Sequence, residues 1–324
     1  MNRRWTSLGC VLALTGLVAF GCDSNPGTDS GVPPGTDGGP GGTDGGPPPS
    51  AAPVGFGTSL ASLSPADYSC RGSVTAPDDS GASVSFTGAV TDFQNSMPVE
   101  NLVVHFFPDN IVAPGCTGSC IEVTSDAMGN VPVMDNEGSW YAYRLQAGMG
   151  AQAGAPREYI EVVQFNEAAP GAGGSENLNA VQAATRNTIV TLLGLGQEEG
   201  TATITGVLSD CGGNSIANAT IRAFNDSGEI ALPLRGRTGT RQFYFGDTNL
   251  PAASQEFTNF NGLYGATNLP IPASGSIRIE LWGSLTDGGA PEMLGCENVP
   301  VTAGGIVILN VGPTRSDGPT TCSG

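Results

Sequence analysis

One segment of the chain occurs twice. Phe86-Thr87-Gly88-Ala89-Val90-Thr91-Asp92 is answered 118 residues later by Ile204-Thr205-Gly206-Val207-Leu208-Ser209-Asp210. Continued without a gap, Pro98-Val99-Glu100-Asn101 meets Ile216-Ala217-Asn218-Ala219, Val103 meets Ile221, His105 meets Ala223 and Phe106 meets Phe224. That spacing is close to the length of one sandwich domain. Both copies consist of short apolar–polar alternations broken by Gly, Asn, Asp and Pro, the signature of half-buried strands joined by tight turns. The repeat therefore predicts an all-β protein of two tandem β-sandwiches.

Each copy continues into a second matching strand pair. In the first, Thr124 to Asn130 forms a turn before Val131 and Val133, and Ser139-Trp140-Tyr141-Ala142-Tyr143-Arg144-Leu145 follows Gly138. In the second, Thr258-Asn259-Phe260-Asn261-Gly262 leads to Leu269 and Ile271, and Ser276 to Trp282 alternates cleanly. Period two places Ile277, Ile279 and Leu281 on the core face and Arg278, Glu280 and Trp282 on the solvent face. The segments 204–224 and 258–281, with 86–106 and 124–145 more loosely, resemble the carboxypeptidase regulatory-like domain, a transthyretin-like sandwich within the carbohydrate-binding-like fold group. The resemblance implies two tandem Ig/transthyretin-like β-sandwich domains. It rests on turn and core positions and so speaks to fold, not chemistry. Between the copies, Leu178, Val181, Ile189, Leu192 and Leu193 suggest a short helical linker within Asn177–Leu195, N-capped by Thr185 and ended by Gly194 or Gly196.

The N-terminus reads as an address. Arg3 and Arg4 precede an apolar run from Leu8 to Phe20, too short to span a bilayer comfortably, and then Ala19-Phe20-Gly21-Cys22. This resembles the bacterial lipobox, which implies cleavage before Cys22, acylation of its thiol and attachment to a lipid bilayer. The following stretch repeats Gly-Thr-Asp-Gly-Gly-Pro at 35–40 and 42–47 and has no aromatic before Phe56. It cannot bury enough apolar surface to offset the entropy of ordering, so a disordered stalk is expected, with a span of roughly 35 Å. The expected organisation is a signal peptide at 1–21, lipidated cysteine and stalk at 22–62, first sandwich at 63–168, helical linker at 169–199, second sandwich at 200–313 and tail at 314–324.

Removing Cys10 with the signal and Cys22 by acylation leaves Cys70, Cys116, Cys120, Cys211, Cys296 and Cys322. An even count in an exported chain predicts disulfides, with fifteen connectivities open. Cys211–Cys296 is favoured because both fall in the second copy. Cys116–Cys120 would close a small Pro-Gly loop, leaving Cys70 and Cys322 to pair across the ends. Zinc is the rival reading, but the cysteine spacings match no known finger, and no metal or cofactor is expected.

Composition excludes several chemistries. The chain has 12 basic residues, all arginine, against 30 acidic ones, a net charge of −18. That charge disfavours nucleic acid. Without lysine there is no P-loop, Schiff base or lysine base, nor the Lys–Asn isopeptide staple of the related collagen-adhesin B-type domains. The single histidine, His105, reads as a structural strand residue. No Gly-x-Ser-x-Gly elbow occurs. The expected function is therefore non-enzymatic: a structural or interaction module of the bacterial cell envelope. The alternative is glycan binding by outward-facing Trp140, Trp282 and Tyr244, since sugars stack on exposed rings.

Overall fold

The computed structural model describes residues 51–71, 81–113, 115–234 and 238–313. The expected signal peptide, Cys22, the glycine-proline repeat and Cys322 lie outside them. No described helix is long and apolar enough to cross a membrane.

The described residues are all-β with one short α-helix. The first copy contributes β1 (Ser83–Asp92), β2 (Val103–Phe107), β3 (Ile121–Thr124), β4 (Asn130–Asn136), β5 (Trp140–Leu145), the hairpin β6 (Gly148–Gln152) and β7 (Ala155–Tyr159), β8 (Val162–Ala168) and β9 (Ser175–Ala180). Helix α1 (Ala183–Leu192) follows. The second copy contributes β10 (Thr201–Val207), β11 (Thr220–Asn225), β12 (Gly228–Ile230), β13 (Arg241–Phe245), β14 (Pro251–Ala252), β15 (Leu263–Pro270), β16 (Ser276–Gly283), β17 (Glu292–Pro300) and β18 (Ile306–Ile308).

The repeat is visible in the pairing. β1 lies antiparallel to β4 and parallel to β9; β10 lies antiparallel to β15 and parallel to β18. The facing layers run in the same order, β8-β5-β2-β3 in the first copy and β17-β16-β11-β12 in the second. Each copy is thus a β-sandwich. Phe86, Val90, Val104, Phe106, Val131, Tyr141 and Tyr143 fill the first. Ile204, Leu208, Ile221, Tyr244, Tyr264, Ile277, Ile279 and Leu281 fill the second. In each, a tyrosine hydroxyl crosses between the layers to accept a backbone N–H: Tyr143 from Asn179 at 3.2 Å, Tyr244 from Ile221 at 3.1 Å.

The two sandwiches are not merely strung on a linker. β18 pairs in parallel with β10 on one side and with β8 on the other, fusing one layer of each into a nine-stranded sheet. Phe107, Ala142, Val163 and Phe165, on the far side of the first copy's layer, merge into the second core. Edge strands are open templates for pairing, and this junction consumes one from each unit.

The gap-free alignment needs one correction. The loop after Asp210 is one residue shorter than the loop after Asp92. Asn101 and Asn218 both take positive φ, 64° and 60°, and donate to the carbonyls of Ser125 and Thr258. Leu102 and Ala219 then donate to the hydroxyls of the same two residues, each at 3.0 Å. From there Val104 matches Ile221, Phe107 matches Phe224, and His105 matches Arg222. A slip of one residue exchanges the faces of a strand, so the match of His105 with Ala223 does not hold.

Two further expectations change. The helix starts three residues earlier than a Thr185 cap would place it, N-capped by Gln182, while Asn177–Ala180, included in the predicted helical segment, belongs to β9. It ends at Gly194, with φ 71°. Val190, Leu193 and Leu195 pack on Phe243 and Phe245, and Arg241 donates to the helix-terminal carbonyl of Leu193 at 2.6 Å. Residues 53–71, assigned above to the stalk and the first sandwich, dock on the second. Val54 bridges Ala217, and Tyr68 packs against the second core. The expected Cys211–Cys296 and Cys70–Cys322 pairs are replaced by Cys70–Cys211, with Cα atoms 5.7 Å apart, while Cys116–Cys120 forms as predicted. Cys296 is disulfide-bonded as well. Asp67 donates its N–H to Asp210 Oδ2 and accepts from Cys211, setting the segment against the turn that carries Cys211. That turn, and with it the pairing, is a tertiary feature that sequence proximity could not reveal.

Candidate functional site

The polar chemistry of the described residues concentrates at one position, used twice: the outer face of the second layer of each sandwich. In the second copy, β11 presents Arg222 and Phe224, β16 presents Arg278, Glu280 and Trp282, and β12 presents Glu229. Cross-strand register sets Arg222 opposite Glu280 and Phe224 opposite Arg278. The guanidinium of Arg222 lies 4.8 Å from the Trp282 ring and 5.1 Å from Phe224, and that of Arg278 lies 4.3 Å from the same Phe224. The result is an alternating stack of Trp282, Arg222, Phe224 and Arg278, each contact a cation–π pair. Glu280 threads it, accepting from Trp282 Nε1 at 2.7 Å and pairing with Arg278 at 3.1 Å. Arg222 is also held by Glu229, whose hydrogen bond raises the guanidinium's affinity for its proton. Glu280, expected on the solvent face, is buried beneath these arginines. Two cations and two carboxylates make the face locally neutral on a strongly acidic chain.

In the first copy, His105 on β2 takes the place of Arg222. It pairs across the sheet with Arg144 on β5 and Glu122 on β3. His105 Nε2 lies 3.0 Å from Glu122 Oε2. Its Nδ1 lies 2.7 Å from Arg144 Nη2 and 3.0 Å from Gln146 Nε2. Arg144 sits over the Phe107 ring at 5.5 Å and donates to the carbonyls of Ala113 and Gly115 in the loop before β3. That loop carries Cys116–Cys120. Both units therefore hold a basic group, an edge-strand glutamate and a phenylalanine at the same place; the first adds the two sulfurs of its loop, and the second has disulfide-bonded Cys296 on β17 opposite Glu280.

The predicted aromatic sites separate. Trp282 is half-buried on the outer face, with its indole N–H and one ring face already engaged. Trp140 is half-buried at the start of β5, of opposite parity to the core residues Tyr141 and Tyr143. Tyr244 is fully buried and donates to Gln242 Oε1 at 3.0 Å. Alternation correctly opposes Tyr244 to Phe243 and Phe245, but α1 covers the phenylalanine side, so the tyrosine faces the core. His105 is a strand residue, 5% exposed, as read. Its company of Arg144, Glu122 and two sulfurs was not legible, because no local motif joins them. The cavity between α1 and the large sheet, lined by Val190, Thr203, Phe243 and Phe245 among others, measures about 30 Å³ and admits a water but not a sugar.

A further polar chain sits in the first sandwich. Tyr143 donates to Gln164 Oε1 at 2.6 Å, and Gln164 Nε2 donates to Glu167. Burial, with a smaller push from the Glu176 charge, raises the Glu167 carboxyl from 4.5 to about 7 despite the Gln164 hydrogen bond. Below pH 4.5 both folded and unfolded chains hold this proton. Between there and about 7 only the folded chain does, so this group's contribution to stability is present in acid and is lost as pH rises. Glu167→Gln is expected to raise stability at pH 8 by about 2 kcal/mol, a value reduced for partial exposure, and to leave it unchanged at pH 4. Urea unfolding at the two pH values checks this; an equal effect at both rules it out.

Comparison with known proteins adds little to this description. No protein-family model matches the chain, and no curated protein does. Among solved structures, the chain is similar to the Bacillus anthracis TIE protein, at 13% identity and TM-score 0.21, over 71% of this chain and 34% of that one. It thus spans about a third of that protein's length. It is also similar to the shaft pilin SpaA from Lactobacillus rhamnosus GG, at 9% identity and TM-score 0.21, over 72% and 98% of the two chains. GBS52, the minor pilin of Streptococcus agalactiae, aligns at 9% identity and TM-score 0.20, over 72% and 96%. Superpositions this weak carry no argument. What the strand topology defines directly is a class: an all-β protein of two β-sandwiches fused through a shared sheet and cross-linked by disulfides.

Proposed function

We propose that this is a non-enzymatic lipoprotein of the bacterial cell envelope, held on a membrane by acylated Cys22 and acting as a structural or interaction module. One observation carries the reading. The first described residues, where a tether from Cys22 would enter, are clamped to the far sandwich by Cys70–Cys211, and that sandwich is fused to the near one through β18. A load on the tether would pass into one cross-linked body. Such a body suits a spacer or a platform for an envelope partner, and the net charge of −18 disfavours nucleic acid as that partner. The ion pairs of the outer faces hold one another, which suits polar groups that stabilise a surface.

Radiolabelled palmitate is expected to enter the protein in cells and to be lost in Cys22→Ser. Continued labelling of that variant, or recovery of an unprocessed cytosolic chain, overturns the anchor. The second reading is glycan binding through Trp140 and Trp282, supported by the partial exposure of both indoles. Saturable binding on a glycan array, abolished by Trp282→Ala, would select it over the structural reading.

A further inference from the structure

The described residues contain one cluster of soft and borderline ligand atoms. An imidazole nitrogen of His105 and the sulfurs of Cys116 and Cys120 all lie within 4.8 Å of one another. We propose that this cluster is a redox-gated metal site: oxidised, it is the Cys116–Cys120 disulfide; reduced, its two thiolates and His105 bind one zinc or similar borderline-soft cation.

The hydrogen bonds around the ring support this. Arg144 and Gln146 reach Nδ1 through N–H groups, which can only donate, so Nδ1 is the acceptor and the proton resides on Nε2. Nε2–H then donates to Glu122. This is the arrangement that orients metal-binding histidines: one nitrogen fixed by a carboxylate, the other presenting its lone pair. The Nδ1 lone pair lies beside the disulfide loop: the same Arg144 Nη2 that donates to Nδ1 also donates to the loop carbonyl of Gly115. Binding requires that Arg144 and Gln146 both give up Nδ1 to the metal. The remaining bonds of Arg144, to Ala113 and Gly115, hold the loop and keep a positive charge beside the thiolates, which favours their ionised form. Cys₂His is a known zinc donor set, with the fourth position left for water.

A dithiol reductant passes two electrons and two protons to the S–S bond, giving two protein thiols and the reductant's own disulfide. Zn²⁺ then displaces the two thiol protons to form a neutral bis-thiolate, and the imidazole adds its lone pair. Both sulfurs are partly exposed, so reductant and metal have access. The loop closes over a separation of only 4 residues, so opening it costs the fold little stability.

The test uses the mature chain, reduced stepwise with dithiothreitol, with each cysteine's state mapped by differential alkylation and the reductant removed before metal is added. Co²⁺ serves as spectroscopic probe and Zn²⁺ as competitor. One equivalent of Co²⁺ is expected, with thiolate charge-transfer absorption, only once Cys116 and Cys120 are open. Cys116→Ser/Cys120→Ser is expected to abolish the signal, His105→Ala to weaken binding strongly, and Glu122→Gln to weaken it by about 10–100-fold. Should reduction open Cys70–Cys211 first, the same titration is made in Cys70→Ala/Cys211→Ala, with near-ultraviolet circular dichroism reporting the fold. Absence of Co²⁺ binding in a folded, reduced loop, its persistence without Cys116 and Cys120, or affinity indifferent to His105 each overturns the proposal.

Discussion

Replacing Cys70 and Cys211 together by alanine is expected to lower stability by about 5 kcal/mol, the largest loss from any disulfide described here. The bond joins residues separated by 141 positions, so the unfolded chain without it regains the freedom of a very long loop. On a chain-entropy account that freedom is worth about 5 kcal/mol, against about 2 kcal/mol for the loop closed by Cys116–Cys120 over a separation of 4. The local contacts do not compensate. Asp67, Tyr68 and Arg71 hold the segment through the turn at Asp210, partial burial and a salt bridge from Arg71 to Glu292 at 2.8 Å, the last on the surface and weak. In that variant hydrogen exchange is therefore expected to rise first at Val54 and at backbone position 211, whose N–H groups bond the carbonyls of Ala217 and Asp67. Denaturant unfolding of the two double variants checks the ratio. Equal losses, or an intact segment 53–71 without the bond, would refute the account.

Gly206→Ala is expected to cost about 3–4 kcal/mol, although glycine is ordinarily a poor strand residue and alanine the smallest change. A Cβ built at Gly206 falls 1.9 Å from the carbonyl oxygen of Leu309 and 2.5 Å from its carbon. Those are backbone atoms, held where they are: Leu309 N–H donates to Thr205, and its carbonyl accepts from buried Tyr264 Oη at 2.8 Å. Moving them breaks both bonds and shifts the chain just after β18, the strand that fuses the sandwiches. Strain of this kind belongs to the small set of mechanisms with large effects. Gly88, its counterpart in the repeat, meets the side-chain ends of Val131 and Leu178 at 2.7 and 2.8 Å, which can yield. Gly88→Ala is accordingly expected to cost about half as much. Thermal unfolding of the pair decides it, and a mild Gly206→Ala would show that the junction is not rigidly held.

The repeated Thr-Gly carries both glycines, so sequence marked the position, but it could not say what approaches it. The outer faces show the same division. Parity placed Arg278 and Trp282 together and opposed them to Ile277, Ile279 and Leu281, as found. It also put Glu280 in solvent, where two arginines in fact cover it, and set Tyr244 outward, where a helix covers the other side. Period two tells which side chains share a face and is silent on which face is wet. The aligned histidine failed for a related reason: one residue fewer in a surface loop is invisible to a gap-free match, yet it reverses a strand.

By itself the sequence determined the all-β class, the twofold repeat, the turn positions and the absence of lysine chemistry, because these follow from residue type and local period. Tertiary structure alone decided that the sandwiches share a sheet, that Cys211 meets Cys70 and not Cys296, and that His105 stands among two sulfurs, Glu122 and Arg144. Those outcomes depend on which segments meet across the fold, and contact between segments far apart in the chain leaves no periodic trace in either one.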